Sequence, residues 1–292
     1  MSTRHLLLIA LLAVPLSGCA WKGERARPWH AGLPGFGGVA GKDVVLMDVV
    51  LLEAPYGDRY VDKGLWDLVD EQIIPLEKKS LLEQNGFRIG LVGASPPSEL
   101  LMLLTSPRSN VNPRRLQIRS GKTAPPLVLG PIREQSVFAI QRGKEKESIK
   151  LDRTEHLLEV TATLTEDGRT RLVFKPQVKH GETSMEMWRA RPDRSDWMLQ
   201  SSRPTKSWSS LEWELTLAPD EYVVIGGRFD RPGTLGHTSF LRRAESAPTQ
   251  RLLVIRTSRP KKVESEEVSK TNAPPLALQT NWSALRGASV GR

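Results

Sequence analysis

Cysteine is almost absent from this 292-residue sequence, which contains only one, Cys19. A single cysteine cannot form an intrachain disulfide, so we expect no disulfide framework in the fold. Long apolar runs are missing as well. The one strongly apolar run, residues 6–16, is too short for a membrane-spanning helix, which needs about 20 residues.

Motifs of the common catalytic and metal sites are also missing. None of the five histidines lies in an HExxH or similar metal-binding pattern, and no GxSxG motif marks a serine nucleophile. The glycines of residues 35–41 follow no predicted strand, and no Lys-Ser/Thr pair closes them, so they do not form a phosphate loop. We therefore expect a non-enzymatic protein with no catalytic residues, no metal and no cofactor. A hydrolase whose carboxylate pair is assembled by folding is the alternative.

Positive charge is in excess, with 42 Lys and Arg against 33 Asp and Glu, a formal net charge of +9. A basic protein is attracted to anionic lipid heads and acidic glycans. The basic residues are scattered along the chain rather than concentrated in one arginine-rich helix or between stacking aromatics. We therefore do not expect a nucleic acid partner.

The first residues follow the plan of a secretory signal peptide. Arg4 provides a positive start, residues 6–16 are apolar, and small residues precede Cys19. The segment ends in Leu16-Ser17-Gly18-Cys19, which resembles the lipobox of bacterial lipoproteins. That resemblance implies that Cys19 receives a diacylglyceryl group, that cleavage precedes it, and that its new amino terminus is acylated. It also implies an exported protein anchored in the envelope, and Ala20 favours the outer membrane, facing the periplasm.

The composition divides the chain into four segments. Residues 1–18 are the signal peptide, 19–42 a Gly/Pro-rich tether, 43–259 one folded domain and 260–292 a tail that we predict to be disordered. Within the domain, 43–110 has mixed α and β patterns and 111–259 is rich in β patterns. The predicted fold class is α+β, with a mixed α/β first half followed by a mainly antiparallel β domain.

In the first half, residues 43–54 predict a strand buried on both faces, with Asp48 as either a hydrogen-bonded strand residue or a charge at a sheet edge rather than a catalyst. Leu65, Leu68 and Val69 have helical spacing. A second helix is predicted from Pro75, ending at Asn85-Gly86. A strand follows at 87–93, and then a short helix with Ser95 as its N-cap.

In the second half, the alternating residues 156–178 predict a hairpin that turns at Asp167-Gly168. Further strands are predicted at LEWELTL, EYVVIGGRF and RLLVIRTS, and the last two are apolar enough to be central in a sheet.

Four tryptophans, Trp188, Trp197, Trp208 and Trp213, lie close together in the sequence among basic residues. They are a candidate binding surface for a glycan, a lipid or a protein partner. Burial in the core is the default interpretation of such tryptophans, and the binding surface is the hypothesis weighed against it.

The order of the β segments resembles the C-terminal domain of bacterial secretins, the outer-membrane channels of type II and type III secretion and pilus systems. The segments that carry this resemblance are VVLMDVVLLEA (44–54), LLMLLTSPR (100–108), LQIRSGKTAPPLVLG (116–130), LLEVTATLTEDGRTRLVFKPQV (157–178), APDEYVVIGGRFD (218–230) and QRLLVIRTSRP (250–260). It implies a structural or assembly role in the envelope, with a homo-oligomer or an envelope protein as partner.

Overall fold

The computed structural model of the protein describes residues 43–189, 197–242 and 247–258. These residues belong to one compact unit, which is mostly antiparallel β-sheet with a few short helices. The predicted signal peptide with Cys19, the tether and the tail lie outside the described residues. No helix in the described ranges has both the length and the apolar character needed to cross a membrane.

Fifteen strands are found in the described ranges. They are β1 (Val44–Pro55), β2 (Phe87–Val92), β3 (Asn110–Arg119), β4 (Lys122–Thr123), β5 (Leu127–Val128), β6 (Arg133–Arg142), β7 (Glu145–Leu164), β8 (Thr170–Lys179), β9 (Ser184–Arg189), β10 (Trp197–Ser202), β11 (Thr205–Ser207), β12 (Trp213–Leu217), β13 (Tyr222–Gly227), β14 (Leu241–Arg242) and β15 (Thr249–Ser258).

Three α-helices accompany these strands, α1 (Leu76–Gln84), α2 (Ser98–Thr105) and α3 (Leu235–Phe240). The predicted end of α1 is confirmed. Gly86 has a φ of 81°, in the left-handed region that glycine adopts without the steric cost of a Cβ. The helix that the spacing of Leu65, Leu68 and Val69 predicts is not formed. A short π-helix, Tyr60–Gly64, ends just before these residues. Ser95 is not an N-cap either, because α2 begins after Pro97 with no side-chain cap.

The first sheet has the strand order β2-β13-β15-β1-β3, with β14 added beside β15. β13 and β15 are central, as the apolar runs predict. The N-terminal β1 lies antiparallel between the C-terminal β15 and β3. Strands from the predicted 43–110 and 111–259 parts of the domain therefore share one sheet.

The second sheet is built around the long hairpin of β7 and β8. The predicted turn at Asp167-Gly168 is confirmed, since β7 and β8 pair from Leu164 and Thr170 outward on either side of it. β11 and β12 pair with β8, and β4, β5 and β6 pair with β7. β9 and β10 form a separate two-stranded ribbon.

The apolar side chains form two core clusters on opposite faces of the first sheet. Odd-numbered residues of β1, such as Val45 and Met47, join the cluster that lies between the two sheets. Even-numbered residues, such as Val50 and Leu52, join the second cluster, which residues of α2 and of the segment after β1 cover. This alternation explains why β1 is apolar along almost its whole length.

Candidate functional site

The structure places two of the four predicted tryptophans in the core. Trp208 and Trp213 are each 2% exposed. Trp213 stacks on Phe174 with ring centroids 5.1 Å apart, and Trp208 packs edge-on against Phe138. For these two tryptophans the default interpretation, burial in the core, is therefore confirmed, and the binding-surface hypothesis is wrong because their rings are covered by the packing of the two sheets.

Trp188 and Trp197 lie in the backbone of the β9–β10 ribbon. The backbone register pairs Trp188 with Met198 and Trp197 with Arg189, so the two tryptophan positions are not cross-strand partners. For these two residues the binding surface stays a prediction. Cys19, the predicted lipidation site, lies outside the described residues.

A feature that the sequence analysis missed is an open strand edge on β7. Residues 155–164 of β7 pair with β8 on one side, and β4 and β5 pair with the same half. Residues 145–154 pair with β6 alone among the described strands. Arg153, between the two halves, has a left-handed φ of 48°, and Gly181 N donates to Asp152 O at 2.8 Å where the pairing on the β8 side ends.

The hydrogen bonds of β6 identify which backbone groups of β7 face outward. Ala139 N donates away from β7, to Gly233 O at 2.7 Å, and Gln141 N donates to Asn85 Oδ1 at 2.8 Å. In an antiparallel pair, two residues directly opposite each other either bond to each other through both N–H and C=O groups, or both direct these groups away from each other. Ser148 and Lys146, the partners of these residues, therefore direct their N–H and C=O groups away from β6.

We call residues 146–150 of β7 the open edge. Its outward backbone groups belong to Lys146, Ser148 and Lys150, and no described strand pairs with them. Unpaired N–H and C=O groups in a row form a template on which another strand can add. The two lysines are exposed and lie on the same face of the strand, so they give this face a positive charge. Glu147, on the other face, pairs with Arg142 and Lys206.

A buried polar cluster lies at the contact of β6, β7 and α3. His156 Nδ1 lies 2.9 Å from Ser239 Oγ, His156 Nε2 lies 3.3 Å from Ser136 Oγ, and Ser136 Oγ is 2.6 Å from Thr154 Oγ1. Ser239 Oγ also donates to Leu235 O at 2.8 Å. All four side chains of the cluster are buried, so it ties the helix to the hairpin.

The cluster predicts an acid-sensitive stability. Burial, with a smaller contribution from the charge of Arg133, lowers the pKa of His156 to about 3 from its usual 6.5. Between these values the unfolded chain binds a proton that the folded chain does not, so the free energy of unfolding falls as the pH falls. We expect a loss of about 1–2 kcal/mol between pH 6.5 and 5, because the slope approaches about 1.4 kcal/mol per pH unit only once the pH lies well below 6.5. Urea unfolding at several pH values measures it.

His156→Gln should flatten this pH dependence, while Ser239→Ala, which leaves the imidazole in place, should keep it. An equally steep pH dependence in His156→Gln would contradict the assignment to His156.

An ion-pair cluster crosses three strands of the first sheet. Asp48 of β1 is 2% exposed. Arg115 Nε of β3 donates to its Oδ1 at 2.6 Å, and Arg256 Nη2 of β15 donates to its Oδ2 at 2.6 Å. Burial raises the pKa of Asp48, but the hydrogen bonds and charges of both arginines together hold this pKa below its ordinary value. Of the two predicted roles, the structure confirms the hydrogen-bonded strand residue, because β1 lies inside the sheet rather than at its edge.

Glu53, on the opposite face of β1, organises a second set of arginines. Arg251 Nε donates to its Oε2 at 2.8 Å, and Arg242 Nη1 donates to its Oε1 at 3.1 Å. In the described ranges, no three His, Cys, Asp or Glu side chains come together as metal ligands. The chemistry of these clusters is that of charge compensation within a sheet.

No protein-family model matches the sequence, and none of the curated proteins matches it. Solved structures give a weak, distant resemblance to secretins. The secretin InvG of the Salmonella SPI-1 type III secretion injectisome matches at 9% identity and a TM-score of 0.17, over 76% of this chain and 64% of that chain.

Two further InvG structures, one of basal body proteins with PrgH and PrgK and one of the secretin domain β-barrel, match with the same identity and TM-score. In all three comparisons this chain spans less than two thirds of the matched chain, 64%, 46% and 63%. At this TM-score the likeness does not establish a shared fold.

Proposed function

We propose that this chain is a non-enzymatic, lipid-anchored envelope protein whose secretin-like domain has a structural or assembly role, linked to protein secretion or a pilus-like machine. The observation that carries the assembly role is the open edge of β7. The order of β segments in the sequence supports the secretin-like part, and the lipobox-like Leu16-Ser17-Gly18-Cys19 supports the anchor at the periplasmic face of the outer membrane.

The open edge can recruit a partner by strand addition. Main-chain hydrogen bonds to an added strand give affinity, and the side chains beside them give specificity. Here the partner strand would lie beside Lys146 and Lys150, which favours acidic residues on that strand. The β6–β7 hairpin holds the edge in an extended conformation before the partner arrives, so little ordering of this segment opposes association.

The charges of the open edge also select the symmetry of assembly. Antiparallel pairing of two copies about Ser148 would set Lys146 of each copy opposite Lys150 of the other, and like charges directly opposite destabilise a sheet. A symmetric dimer through this edge is therefore disfavoured. A head-to-tail contact, with a different surface of the next copy, avoids the repulsion and generates a ring when the rotation closes.

Substitution of Ser148 by proline tests the role of the open edge. Ser148→Pro removes an outward N–H that the hairpin does not use, so β6 and β7 should stay paired while strand addition is blocked. We expect crosslinking of the membrane-anchored protein to give oligomers in the wild type and at least a tenfold smaller oligomer fraction in Ser148→Pro, about 1.4 kcal/mol in the association equilibrium.

Ser148→Thr is the matched control, because it keeps the N–H and a similar side chain, and it should assemble like the wild type. Wild-type protein that crosslinks only as a monomer would overturn the proposed assembly role. Assembly of Ser148→Pro at the wild-type level would show that the contact lies elsewhere.

The lipid anchor has a test of its own. When cells that express the full chain grow with a radioactive fatty acid, the wild-type protein should become labelled, because Cys19 would carry the fatty acyl chains. Three such chains would hold the protein stably in the membrane, whereas one chain alone binds marginally. Cys19→Ala should take up no label and should leave the membrane fraction. Labelling of Cys19→Ala would refute lipidation at Cys19.

A lipid-anchored binding module is the second candidate function, and the β9–β10 ribbon favours it. Met185 and Met187 of β9 are 67% and 65% exposed. As alternate residues of one strand they lie on the same face. Flexible, exposed methionines are typical of adaptable binding surfaces. The ribbon also contains Trp188 and Trp197, which remain the tryptophans available to such a surface.

A further inference from the structure

A cleft of about 250 Å³ opens beside the first sheet, where the segment after β5 passes over it. Its apolar walls come from both sides. Val49, Leu51 and Leu253 belong to β1 and β15, and Leu127 belongs to β5. All four are buried. The cleft thus offers an apolar interior that is large enough for a small ligand.

Two arginines line this cleft and differ in their partners. Arg251 is 4% exposed. Its Nε donates to Glu53 Oε2 at 2.8 Å, and its Nη1 donates to Leu129 O at 2.8 Å. A Cβ on Gly130 would lie 2.7 Å from Arg251 Nη1, so a larger residue there would require the guanidinium to shift from its present position. Arg251 is therefore a compensated part of the wall.

Arg114 has no such compensation among the described residues. No described carboxylate lies within ion-pair distance of its guanidinium, and its Nε is buried without a hydrogen-bond acceptor. A buried donor left without an acceptor costs about 1–3 kcal/mol. The cleft wall therefore carries a positive charge and a donor directed at no protein group in the described ranges.

A bulge in β3 gives the cleft its rim. Val49 of β1 pairs with Arg114 of β3, and Leu51 pairs with Val111. Between these two pairs the chain advances by two residues in β1 and by three in β3, so β3 contains one extra residue. Asn112, within the bulge, has a left-handed φ of 52°. Bulges redirect side chains and occur next to functional sites. The register after the bulge sets Arg114 opposite Val49, on the face of the sheet that lines the cleft.

We propose that this cleft binds a carboxylate with a short apolar chain. A guanidinium pairs with a carboxylate through two parallel N–H···O bonds, which would give the Arg114 Nε its acceptor. The apolar walls would bury the chain of the ligand. At roughly 30 Å³ for each small group, the volume corresponds to about eight non-hydrogen atoms, close to the size of a six- to eight-carbon monocarboxylate. This site is separate from the open edge and does not depend on the proposed assembly role.

Titration of the full chain with octanoate, followed by calorimetry, tests the proposal. We expect saturable binding with a Kd on the order of 0.1–1 mM. Acetate, which lacks the chain, and octanamide, which lacks the charge, should each bind at least about tenfold more weakly. Arg114→Gln should weaken octanoate binding about tenfold or more, whereas Arg119→Gln, an exposed arginine on the same strand, should leave it unchanged.

Three results would overturn the proposal. They are no saturable binding up to about 10 mM octanoate, equal affinity for octanamide and octanoate, and unchanged octanoate affinity in Arg114→Gln. The comparison of the two ligands needs no variant, so it decides the role of the charge even when Arg114→Gln does not fold. Circular dichroism of Arg114→Gln separates a lost site from a lost fold.

Discussion

Asp48→Asn is expected to lower the free energy of unfolding by about 3–5 kcal/mol. The substitution keeps the size of the side chain and removes its charge. Arg115 and Arg256, which flank Asp48 on β3 and β15, then lose the carboxylate that compensates them. Their side chains are 28% and 13% exposed, so water replaces the lost partner only in part, and the cost of removing one member of a buried ion pair applies.

Urea denaturation of the two proteins measures this effect. Glu214→Gln is the matched control, because Glu214 pairs with Arg171 on an exposed face of the second sheet, where an ion pair contributes about 0–1 kcal/mol. A loss below about 1 kcal/mol in Asp48→Asn would contradict the buried character of the cluster.

The pH dependence of this contribution follows from the direction of the pKa shift. The pKa of Asp48 in the folded protein lies below its usual 3.8, so the contribution is present above that pH and is lost as the pH falls further. The contributions of Asp48 and His156 to the free energy of unfolding are therefore lost in different pH ranges, since the loss from His156 begins near pH 6.5.

Trp213→Ala is expected to destabilise the protein by about 3–5 kcal/mol, the usual cost of truncating a buried tryptophan. Trp213 stacks on Phe174 at 5.1 Å and lies 5.9 Å from Phe87, so it joins the second sheet to β2 of the first sheet. Its removal would leave a cavity between the two sheets. Thermal unfolding followed by circular dichroism measures the loss.

Two variants control this experiment. Trp213→Phe should cost less, because it keeps a ring on Phe174 and removes an indole N–H that has no acceptor among the described residues. Met185→Ala removes an exposed side chain and should change the stability by at most about 0.5 kcal/mol. A stable Trp213→Ala would contradict the core assignment. Binding experiments with tryptophan variants should accordingly use Trp188 and Trp197, because loss of binding in Trp213→Ala would report unfolding.

The elements that the sequence predicted well are those in which local pattern and burial agree. β1, β13 and β15 are apolar on both faces because both faces of the first sheet are covered. Such continuous apolar runs can be recognised in the sequence without knowledge of the neighbouring strands. The β7–β8 hairpin has alternation and a strong turn signal together. In β12 the residues Trp213, Leu215 and Leu217 alternate as buried positions, so its pattern contained the evidence that Trp213 belongs to the core.

The candidate sites depend on register, which the sequence does not carry. β6 was not predicted, and without it the long N-terminal half of β7 has no partner and the open edge cannot be recognised. Asp48 lies 67 residues from Arg115 and 208 from Arg256, and only the pairing of β1 with both β3 and β15 brings them together. The cleft likewise needs a bulge whose extra residue is visible only once the two strands are aligned.

The position of β1 between β3 and β15 has a consequence for the order in which the chain can fold. Among the described strands, synthesis yields β1 first and β15 last, so the longest pairing in the first sheet waits until Ser258 has emerged. Contacts between distant parts of a chain slow folding, because the entropy of closing the loop is lost before the contacts form. Until then β1 and β13 lack the strand that lies between them. We therefore expect a nascent chain that stops before Thr249 to remain protease-sensitive and open to chaperones.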